Sequence, residues 1–519
     1  MTPARALQPA LRGIATVPHD LSVTDLTLDS REVTPGAAFF ACRGAAHHGL
    51  HYALRAAAAG ARAILWESAP GLTAPALPDN VVVREVPQLR AHLGQIADRF
   101  FEAPSAHLAI AGITGTNGKT TCAWLLAEAL AQLGRRSAYL GTVGVGSARR
   151  QDGAVSIAPQ PLAHTTPDVL SVHRLLAQLV QGGCDSLAME ISSHALDQER
   201  CAGVRLRTAA FTNLTRDHLD YHGDMAAYAA AKARLFDWPQ LGARVVNIDD
   251  GFGRQLAQRL ESGQAGRSGA PLFVTTRELA AAQAHAQRGC EYVCAERVSI
   301  TRDGLALSVS SSRGSATLNS ALRGAFNVDN LLTVLALLLA WETPLQRACE
   351  ALGACRPPPG RLQAEGGGAL PLVLIDYAHT PDALGKALEA ARMHCEGRLW
   401  CVFGCGGDRD QGKRADMGRI AATLADALIV TDDNPRGEDP AAIAAAIAEG
   451  AAAGGAGGRM RIVHDRAQAI RRAVAEAAPR DVVLVAGKGH EEYQIVGEHR
   501  RAFSDTQAVH DALAKRGGT

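Results

Sequence analysis

The sequence lacks long apolar runs, an excess of charge of either sign, and paired cysteines. No apolar stretch approaches the roughly 20 residues that a membrane-spanning helix needs, and the first 20 residues lack the apolar core of a signal peptide. Lysine and arginine number 53 and aspartate and glutamate 52, so the formal net charge is only +1. This balance argues against a broad nucleic-acid-binding surface. We therefore expect a cytoplasmic protein with no membrane span and no nucleic-acid partner.

The cysteines do not form a recognisable framework. Their number, eleven, is odd, and none are spaced as a CxxC pair. This pattern favours reduced thiols over disulfide bonds or a zinc site. A chain of 519 residues is long enough for about three domains, each with its own core.

Residues 106–121, AHLAIAGITGTNGKTT, carry the clearest functional signal. An apolar, β-branched run predicts a buried parallel strand, a glycine-containing loop follows, and helical periodicity resumes after it. The backbone N–H groups of such a loop converge on phosphate oxygens, while Lys119 can span two phosphates and Thr120 can reach a magnesium ion. The loop is a variant, because a strict P-loop has glycine where Ile113 stands. The segment therefore predicts a nucleoside triphosphate site.

Strand-like and helical patterns alternate along most of the chain, which predicts an α/β protein of three domains. We expect a small N-terminal α/β domain over residues 1–105 and a central P-loop domain with a doubly wound, mostly parallel sheet over 106–345. A Rossmann-like C-terminal α/β domain would occupy 346–519. The proline-rich segment 356–361 is unsuited to a helix or a sheet interior and marks the junction before the last domain.

Polar side chains follow several predicted strands of the central domain. Glu190 ends an apolar strand beside the phosphate loop, where it would hold magnesium or serve as an ordinary strand-end carboxylate with equal probability. The loop 213–222 concentrates two histidines, two carboxylates and an arginine, which favours metal or substrate contact. Thr166 and Pro167 fit an N-cap and a first helical residue, or a site for phosphate or hydroxyls. Lys232, taken alone, is typical of a surface lysine.

Four predicted strands of the last domain also end in polar loops. These loops span residues 376–379, 404–410, 431–436 and 487–491. Ligands of open α/β sheets bind beyond the carboxyl ends of the strands. The last domain is therefore predicted to hold a second substrate site.

Nine motifs in chain order resemble those of the Mur ligases, and within them of the members that add meso-diaminopimelate. They are LDSR, TGTNGKTT, EISSH, TNLTRDHLDYHG, FNVDN, DYAHTPD, GCGGDRD, DNPR and AGKGHE. The resemblance implies a monomeric, cytoplasmic, ATP-dependent acid–amino-acid ligase of peptidoglycan precursor synthesis. Such an enzyme would join meso-diaminopimelate to the D-Glu side-chain carboxylate of UDP-MurNAc-L-Ala-D-Glu through an acyl phosphate, and would act in cell-wall biogenesis, cell shape and cell division.

The resemblance also implies roles for individual residues. ATP would be bound by Gly115, Thr116, Asn117, Gly118, Lys119, Thr120, Thr121, Asn327, Arg361, Asp376 and His379. Magnesium would be held by Thr120, Glu190, His218 and Lys232, the last as N6-carboxylysine formed with carbon dioxide. The UDP-muropeptide would contact Leu28, Ser30, Thr165, Thr166, Ser192, Gln198 and Arg200. Diaminopimelate would contact Arg409, Asp433, Asn434, Pro435, Arg436, Gly487 and Glu491. The catalytic residues would be Lys119, Lys232, His218 and Glu190.

Two other functions remain open from the sequence. A lysine-adding Mur ligase or a folylpolyglutamate synthase would share the phosphate loop, although DNPR and the 213–222 loop favour diaminopimelate. A nucleotide-binding regulator without turnover is disfavoured by the joint presence of Lys119, Glu190, His218 and Lys232. The resemblance implies that carbamylated Lys232 helps to position a second magnesium ion, for which a binding protein has no use.

Overall fold

The computed structural model describes residues 4–44, 47–151, 154–263, 269–301 and 303–517 of the chain. Its internal contacts divide the chain into two compact units, Met1–Val274 and Thr275–Thr519. Among the described residues, none of the helices combines the length and the apolar character that crossing a membrane requires.

Strands and helices alternate along the first unit. Its strands are β1 (Arg5–Ala6), β2 (Ser22–Val23), β3 (Leu26–Thr27), β4 (Ala38–Ala41), β5 (Ala63–Glu67), β6 (Val82–Val86), β7 (Ala109–Thr114), β8 (Ser137–Gly141), β9 (Gly144–Gln151), β10 (Ala154–Ile157), β11 (Ser186–Glu190), β12 (Thr208–Phe211) and β13 (Ala243–Asn247), while β14 (Leu272–Thr276) extends into the second unit. Its helices are α1 (Ala53–Ala58), α2 (Leu89–Phe100), α3 (Lys119–Gln132), α4 (Val169–Gln181), α5 (Ser193–Asp197), α6 (Leu219–His222), α7 (Met225–Ala233) and α8 (Gly251–Glu261).

The first sheet of this unit is parallel and is covered on both faces. Its strands pair in the order β3-β4-β5-β6. Successive residues of a strand point to opposite faces, so Phe40 packs in one core with residues of α2 and Phe39 in another with residues of α1. Both phenylalanines are buried. This arrangement confirms the α/β character expected for the N-terminal region.

The larger sheet places the glycine loop between two parallel neighbours. In the first unit its strands follow the order β10-β9-β8-β11-β7-β12-β13. The strands from β8 to β13 in that order pair in parallel, whereas β9 and β10 are antiparallel additions at the edge. Since β7 lies between β11 and β12, the loops after all three strands leave the same edge of the sheet. That edge is where open α/β sheets bind ligands.

The second unit begins with an antiparallel sheet segment and ends in a parallel sheet. Its strands are β15 (Glu291–Thr301), β16 (Gly304–Ser311), β17 (Gly314–Ser320), β18 (Gln363–Gly366), β19 (Leu372–Asp376), β20 (Leu399–Phe403), β21 (Ala427–Val430), β22 (Met460–Ile462), β23 (Val482–Ala486), β24 (Tyr493–Val496) and β25 (His499–Ala502). Its helices are α9 (Leu279–Ala286), α10 (Asn327–Ala340), α11 (Leu345–Gly353), α12 (Pro381–Arg392), α13 (Lys413–Leu424), α14 (Pro440–Ala453), α15 (Arg466–Glu476) and α16 (Asp505–Gly517).

The six-stranded sheet of this unit is doubly wound. Its order is β18-β19-β23-β20-β21-β22, with β18 antiparallel at the edge and the other strands parallel. One face packs against α12, α13 and α14 and the other against α15 and α16. The predicted α/β fold, with a mostly parallel P-loop sheet and a Rossmann-like C-terminal sheet, is confirmed.

The prediction that Thr166 caps a helix whose first residue is Pro167 is wrong. Helix α4 begins two residues later, and Asp168 is its N-cap. The Asp168 carboxylate accepts hydrogen bonds from the N–H groups of Leu170 and Ser171, which satisfies two amides at the helix start. The Thr166 hydroxyl instead donates a hydrogen bond to the Glu190 carbonyl at the end of strand β11.

His394 connects three segments of the second unit and predicts a pH-dependent stability. The side chain is buried, with Nδ1 2.6 Å from the Thr301 carbonyl oxygen and Nε2 2.9 Å from the Gly324 amide. Because a carbonyl only accepts, Nδ1 carries the proton and Nε2 accepts from Gly324. Burial lowers the pKa of His394, and Arg323 lowers it further. A proton on Nε2 would abolish the bond to Gly324.

The free energy of unfolding should therefore fall in acid. With a pKa lower in the folded than in the unfolded chain, this contribution is complete above the unfolded value of about 6.5 and is lost as the pH falls below it. Unfolding by urea at about pH 7.5 and about pH 5.5 should show a loss roughly 1 kcal/mol larger in the wild type than in His394→Gln. The exposed His499→Gln serves as the control. Equal losses in His394→Gln and the wild type would contradict the prediction.

Candidate functional site

The glycine loop lies tightly against the end of β12. Gly115 and Gly118 have φ angles of 148° and 85°, which residues other than glycine rarely adopt. A Cβ atom on Gly115 would lie 1.9 Å from the Thr212 hydroxyl oxygen. The loop amides of Thr116 and Asn117 donate to the backbone and side-chain oxygens of Asn213, at 2.8 and 2.9 Å. The loop conformation is therefore fixed by its own glycines and by a neighbouring strand.

Two lysines converge on one carbonyl of this loop. The Nζ atoms of Lys119 and Lys232 donate to the Gly115 carbonyl at 2.9 and 2.7 Å, and Lys119 also donates to the Thr116 carbonyl at 2.8 Å. Lys232 is 1% exposed, so the interpretation of this residue as a surface lysine is wrong. Burial, and secondarily the charge of Lys119, lowers the pKa of Lys232 well below its usual value.

Helix α7 explains how Lys232 reaches the interior. Tyr228 and Lys232 are four residues apart and lie on the same face of the helix, with Lys232 Nζ 4.3 Å from the centre of the Tyr228 ring. The Tyr228 hydroxyl lies 3.1 Å from the Thr116 hydroxyl. The helix therefore presents both side chains to the glycine loop.

Glu190 is buried at the end of β11 and is surrounded by donors. Its carboxylate accepts from the Tyr139 hydroxyl at 2.6 Å, the Thr120 hydroxyl at 3.0 Å, and the amide and hydroxyl of Thr142 at 2.9 and 3.1 Å. Thr120 and Glu190 thus offer adjacent hard oxygen ligands, the type that Mg²⁺ prefers. The donor chemistry fits a magnesium ion beside the phosphate loop.

A second group of polar residues surrounds the end of the same strand. The Thr166 hydroxyl donates to the Glu190 carbonyl at 2.9 Å and accepts from the Ser192 amide at 3.3 Å. Arg200 donates to the Thr166 carbonyl at 2.8 Å and holds the Gln198 carbonyl oxygen with two nitrogens, at 3.0 and 2.7 Å. Five of the seven residues implied for the muropeptide are therefore neighbours, the fifth being Thr165, whose hydroxyl is 3.1 Å from that of Thr142.

Leu28 and Ser30 belong to a different part of the unit. They lie in the turn after β3, where Arg31 and Asp29 form an ion pair at 2.6 Å. Within the described chain, no hydrogen bond joins either residue to the group around Glu190. Ser30 is 7% exposed and Leu28 packs partly against the core that includes α2 and α4.

His218 lies in a cluster of rings. The ring centre of His194 is 4.8 Å from that of His218, 4.2 Å from that of Tyr221 and 5.5 Å from that of His222. Burial and the neighbouring imidazoles lower the pKa of His194. The His222 ring is in turn 5.1 Å from that of Tyr228 on α7. The loop rich in ionisable groups therefore packs next to the helix that carries Lys232.

In the second unit, the residues implied for the nucleotide fall into two groups. The first is Asn327 alone, and the second is Asp376 with Arg361 and His379. Asn327 begins α10 and is buried, with its amide donating to the Arg323 carbonyl at 2.6 Å and its oxygen accepting from Asn330 at 2.7 Å. Asp376 ends β19, and its carboxylate accepts from the amides of Leu362 and Ala378 at 2.8 and 2.9 Å. Burial raises the pKa of Asp376 against the opposing effect of Arg361.

Tyr377 is the centre of the second group. Its ring lies 5.4 Å from the Arg361 guanidinium carbon, 4.8 Å from the His379 ring and 5.0 Å from the His490 ring. Arg361 and His379 are therefore placed together, although they come from segments on either side of β19. Neither Tyr377 nor His490 is among the residues predicted from the sequence to bind a substrate.

Residues 431–436 and 487–491 lie in two loops that are joined by hydrogen bonds, and we name the two loops the pocket wall because the sequence predicts a substrate site at these strand ends. The Asn434 amide nitrogen donates to Glu491 Oε2 at 2.9 Å. Gly487 has a φ of 119°, which favours glycine, and a Cβ on it would lie 2.5 Å from Asp433 Oδ2, so the two loops lie close together here. Arg436 is half-buried, in the left-handed backbone region at φ 52°, and donates to the Gly407 carbonyl at 2.8 Å. Arg409 belongs to the same loop as Gly407 and is exposed.

Three residues in or bonded to this pocket wall are absent from the sequence prediction. Lys488 is fully buried and bonded to Asn434 and Glu491, Gln494 donates to the Asp433 carbonyl at 2.8 Å, and Arg466 donates to the Ala486 carbonyl at 3.0 Å. Lys488 stands inside the motif AGKGHE directly after an apolar strand. A lysine so close to the end of a buried strand predicts a buried charge that needs a partner, and this signal could have identified Lys488 from the sequence.

Family models match three stretches of the chain. Residues 22–101 match the model described as the Mur ligase family catalytic domain. Residues 113–338 match the Mur ligase middle domain, and residues 360–489 match the Mur ligase glutamate ligase domain.

Curated relatives and a solved structure match over nearly the whole chain. The UDP-N-acetylmuramoyl-L-alanyl-D-glutamate–2,6-diaminopimelate ligase of Alkalilimnicola ehrlichii is 46% identical over 508 residues, covering 96% of each chain. The ligase of the same name from Xanthomonas campestris is 45% identical and covers 100% of this chain and 99% of its own. A solved structure of a ligase of that name is similar with a TM-score of 0.69 at 31% identity, covering 99% of this chain and 100% of that one.

Proposed function

Because the chain belongs to the Mur ligase family, whose members are ATP-dependent ligases, we propose that it adds meso-diaminopimelate to UDP-MurNAc-L-Ala-D-Glu in peptidoglycan precursor synthesis. The new amide would form at the D-Glu side-chain carboxylate. Full-length relatives at 45–46% identity carry the name of this activity. The structural observation that carries the proposal is the pocket wall of Asn434, Arg436 and Glu491, which offers both signs of charge to a zwitterionic amino acid.

The reaction consists of two displacements. A carboxylate oxygen of D-Glu attacks the γ-phosphorus of ATP, the bond to the ADP oxygen breaks, and an acyl phosphate results. The neutral amine of diaminopimelate then attacks the acyl carbon, inorganic phosphate leaves, and the amine loses a proton. Both steps require anionic groups to be held in line and their charge to be neutralised.

The first unit provides the groups that would bind the phosphates. The loop from Gly115 to Thr121 would cradle them, and Lys119 would move from loop carbonyls to phosphate oxygens. Thr120, Glu190 and His218 would hold Mg²⁺, which supplies charge neutralisation on the transferring phosphoryl group when bound. The donors around Glu190 would orient its carboxylate for this task.

Lys232 is proposed to be the carbamylated residue. Only a neutral amine adds to carbon dioxide, and burial lowers the pKa of Lys232 in the direction that favours the neutral form. The resulting N6-carboxylysine would carry an anion on an arm longer than that of glutamate. It would place an anion beside the Lys119 ammonium and provide a further ligand for a metal ion.

The remaining site residues are assigned as the resemblance implied. Asn327, Arg361, Asp376 and His379 would contact the nucleotide, and Leu28 and Ser30 would contact the uridine part of the substrate. We also propose domain limits of 1–105, 106–345 and 346–519, since each range contains one of the three family matches. A monomeric state and a cytoplasmic location complete the proposal.

Arg436→Ala should weaken the binding of diaminopimelate selectively. The distal carboxylate that distinguishes this substrate from lysine matches the fork of a guanidinium, and lysine would leave the arginine unpaired. We expect the KM for diaminopimelate to rise about 100-fold, with the KM for ATP within about twofold of the wild type. Steady-state phosphate release measures both constants. The exposed Arg501→Ala is the matched control, and an equal rise in both KM values would contradict the assignment.

Product analysis separates this function from its alternatives. The wild type is given ATP together with either UDP-MurNAc-L-Ala-D-Glu and equimolar meso-diaminopimelate and lysine, or a folate and glutamate, and the product is identified by mass. Equal use of lysine would favour a lysine-adding ligase. Turnover only with a folate and glutamate would favour a folylpolyglutamate synthase, and absence of turnover with every acceptor would favour a nucleotide-binding regulator.

A further inference from the structure

Lys488 is a fully buried lysine that bonds to two residues of the proposed amino-acid pocket. Its Nζ donates to Asn434 Oδ1 at 3.1 Å and to Glu491 Oε2 at 3.2 Å. Asn434 Nδ2 donates to the same Glu491 oxygen at 2.9 Å, which closes a triangle of three side chains. The triangle joins the loop after β21 to the loop after β23. A buried ammonium is costly unless it is paired, and here both of its partners belong to the pocket.

The triangle fixes which way the Asn434 amide points. Its oxygen accepts from Lys488 and also from the Ile495 amide at 2.9 Å. With two donors on Oδ1, the nitrogen must face Glu491, because the flipped amide would place donors against donors. Ile495 also holds Arg436, because the backbone N–H of Arg436 donates to the Ile495 carbonyl at 3.1 Å.

The triangle also fixes the Glu491 carboxylate. Glu491 Oε2 accepts hydrogen bonds from both Lys488 and Asn434, and the Glu491 side chain is 17% exposed. An ammonium group approaching the pocket would therefore meet a carboxylate held in one orientation. The guanidinium of Arg436, held by the Gly407 carbonyl, provides the opposite charge for a carboxylate.

We propose that Lys488 is a positioning residue that orients Asn434 and Glu491 for the zwitterionic amino-acid substrate and thereby sets selectivity for it. This inference rests on the proposed function of the pocket. Lys488 contacts no solvent and acts through its two partners. Its loss would release the carboxylate and the amide from their fixed orientations while leaving the groups of the first unit unchanged.

Steady-state kinetics of Lys488→Met test the proposal. We expect the KM for meso-diaminopimelate to rise at least about tenfold and the preference for it over lysine to fall about tenfold. The KM values for ATP and for UDP-MurNAc-L-Ala-D-Glu should stay within about twofold, and kcat at saturation within about threefold. Lys386→Met, which removes a half-exposed lysine paired with Asp382 on α12, is the matched control and should change none of these constants.

A double variant tests whether Lys488 acts through Glu491. Lys488→Met leaves a carboxylate without its cation, whereas Lys488→Met/Glu491→Gln removes both charges and provides a second route if the single variant does not fold. The rise in the KM for diaminopimelate in the double variant should be clearly smaller than the product of the rises in Lys488→Met and Glu491→Gln, because Glu491 is one of the two groups through which Lys488 acts.

Several outcomes would overturn the inference. They are unchanged constants in Lys488→Met, parallel changes in all three KM values, a rise in KM in the double variant equal to the product of the rises in the two single variants, or unfolding of both Lys488 variants, which would show a purely structural role. Failure of the proposed function is distinct, because the wild type itself would then form no diaminopimelate product.

Discussion

Lys232→Ala is expected to lower kcat at least about 100-fold, which is the effect of removing one preorganised charged group from a phosphoryl-transfer site. The amine is buried against the Gly115 carbonyl and under the influence of Lys119, so its loss affects the phosphate loop directly. If the residue is carbamylated, the variant also loses an anionic metal ligand. Phosphate release at saturating ATP, Mg²⁺, diaminopimelate and UDP-MurNAc-L-Ala-D-Glu measures kcat.

Removal of carbon dioxide separates the two contributions. The wild type should lose activity in degassed, bicarbonate-free buffer and regain it when bicarbonate is added, whereas Lys232→Ala should respond to neither treatment. Lys515→Ala removes an exposed lysine of α16 and should behave as the wild type in both buffers. An active Lys232→Ala enzyme would contradict the assigned role, and a wild type insensitive to carbon dioxide would contradict carbamylation alone.

The sequence predicted those parts of the molecule that depend on local patterns. The strand, glycine loop and helix of 106–121 appear in order, because the apolar period and the glycines determine the backbone over a few residues. Four of the six strands of the C-terminal sheet, β19, β20, β21 and β23, were also predicted, since buried parallel strands are short apolar runs bounded by polar loops. The strand ends then indicated where the polar side chains would gather.

Features that depend on distant contacts could not be predicted in this way. Lys232 stands in an alanine-rich helix without a polar face, and only its contact with Gly115, 117 residues away, shows that it is buried. Lys488 meets Asn434 across 54 residues. The N-cap error has the same origin, because Thr166 is drawn away from the helix start by the Glu190 carbonyl. Motif resemblance identified several of these residues, but it did not indicate what they contact.

Asp505→Ala is expected to lower the free energy of unfolding by about 3 to 5 kcal/mol, the usual cost of leaving a buried charge without its partner. Arg466 and Asp505 form a fully buried bidentate pair, with both nitrogen–oxygen distances 2.7 Å. The pair ties α16 to the start of α15, and Arg466 also donates to the Ala486 carbonyl at the end of β23. Its loss should therefore destabilise the six-stranded sheet and the pocket wall at Gly487.

Denaturant unfolding, followed by tryptophan fluorescence, to which Trp400 within that sheet contributes, measures the change. The exposed pair of Arg419 and Asp416, at 3.1 Å, supplies the control, since Asp416→Ala should cost less than about 1 kcal/mol. Arg466→Met/Asp505→Leu replaces both charges with apolar groups and should recover most of the stability lost in Asp505→Ala, because the penalty arises from the unpaired guanidinium. If Asp505→Ala and Asp416→Ala have equal effects, water reaches Arg466 in the variant and the pair is not a buried anchor of the pocket.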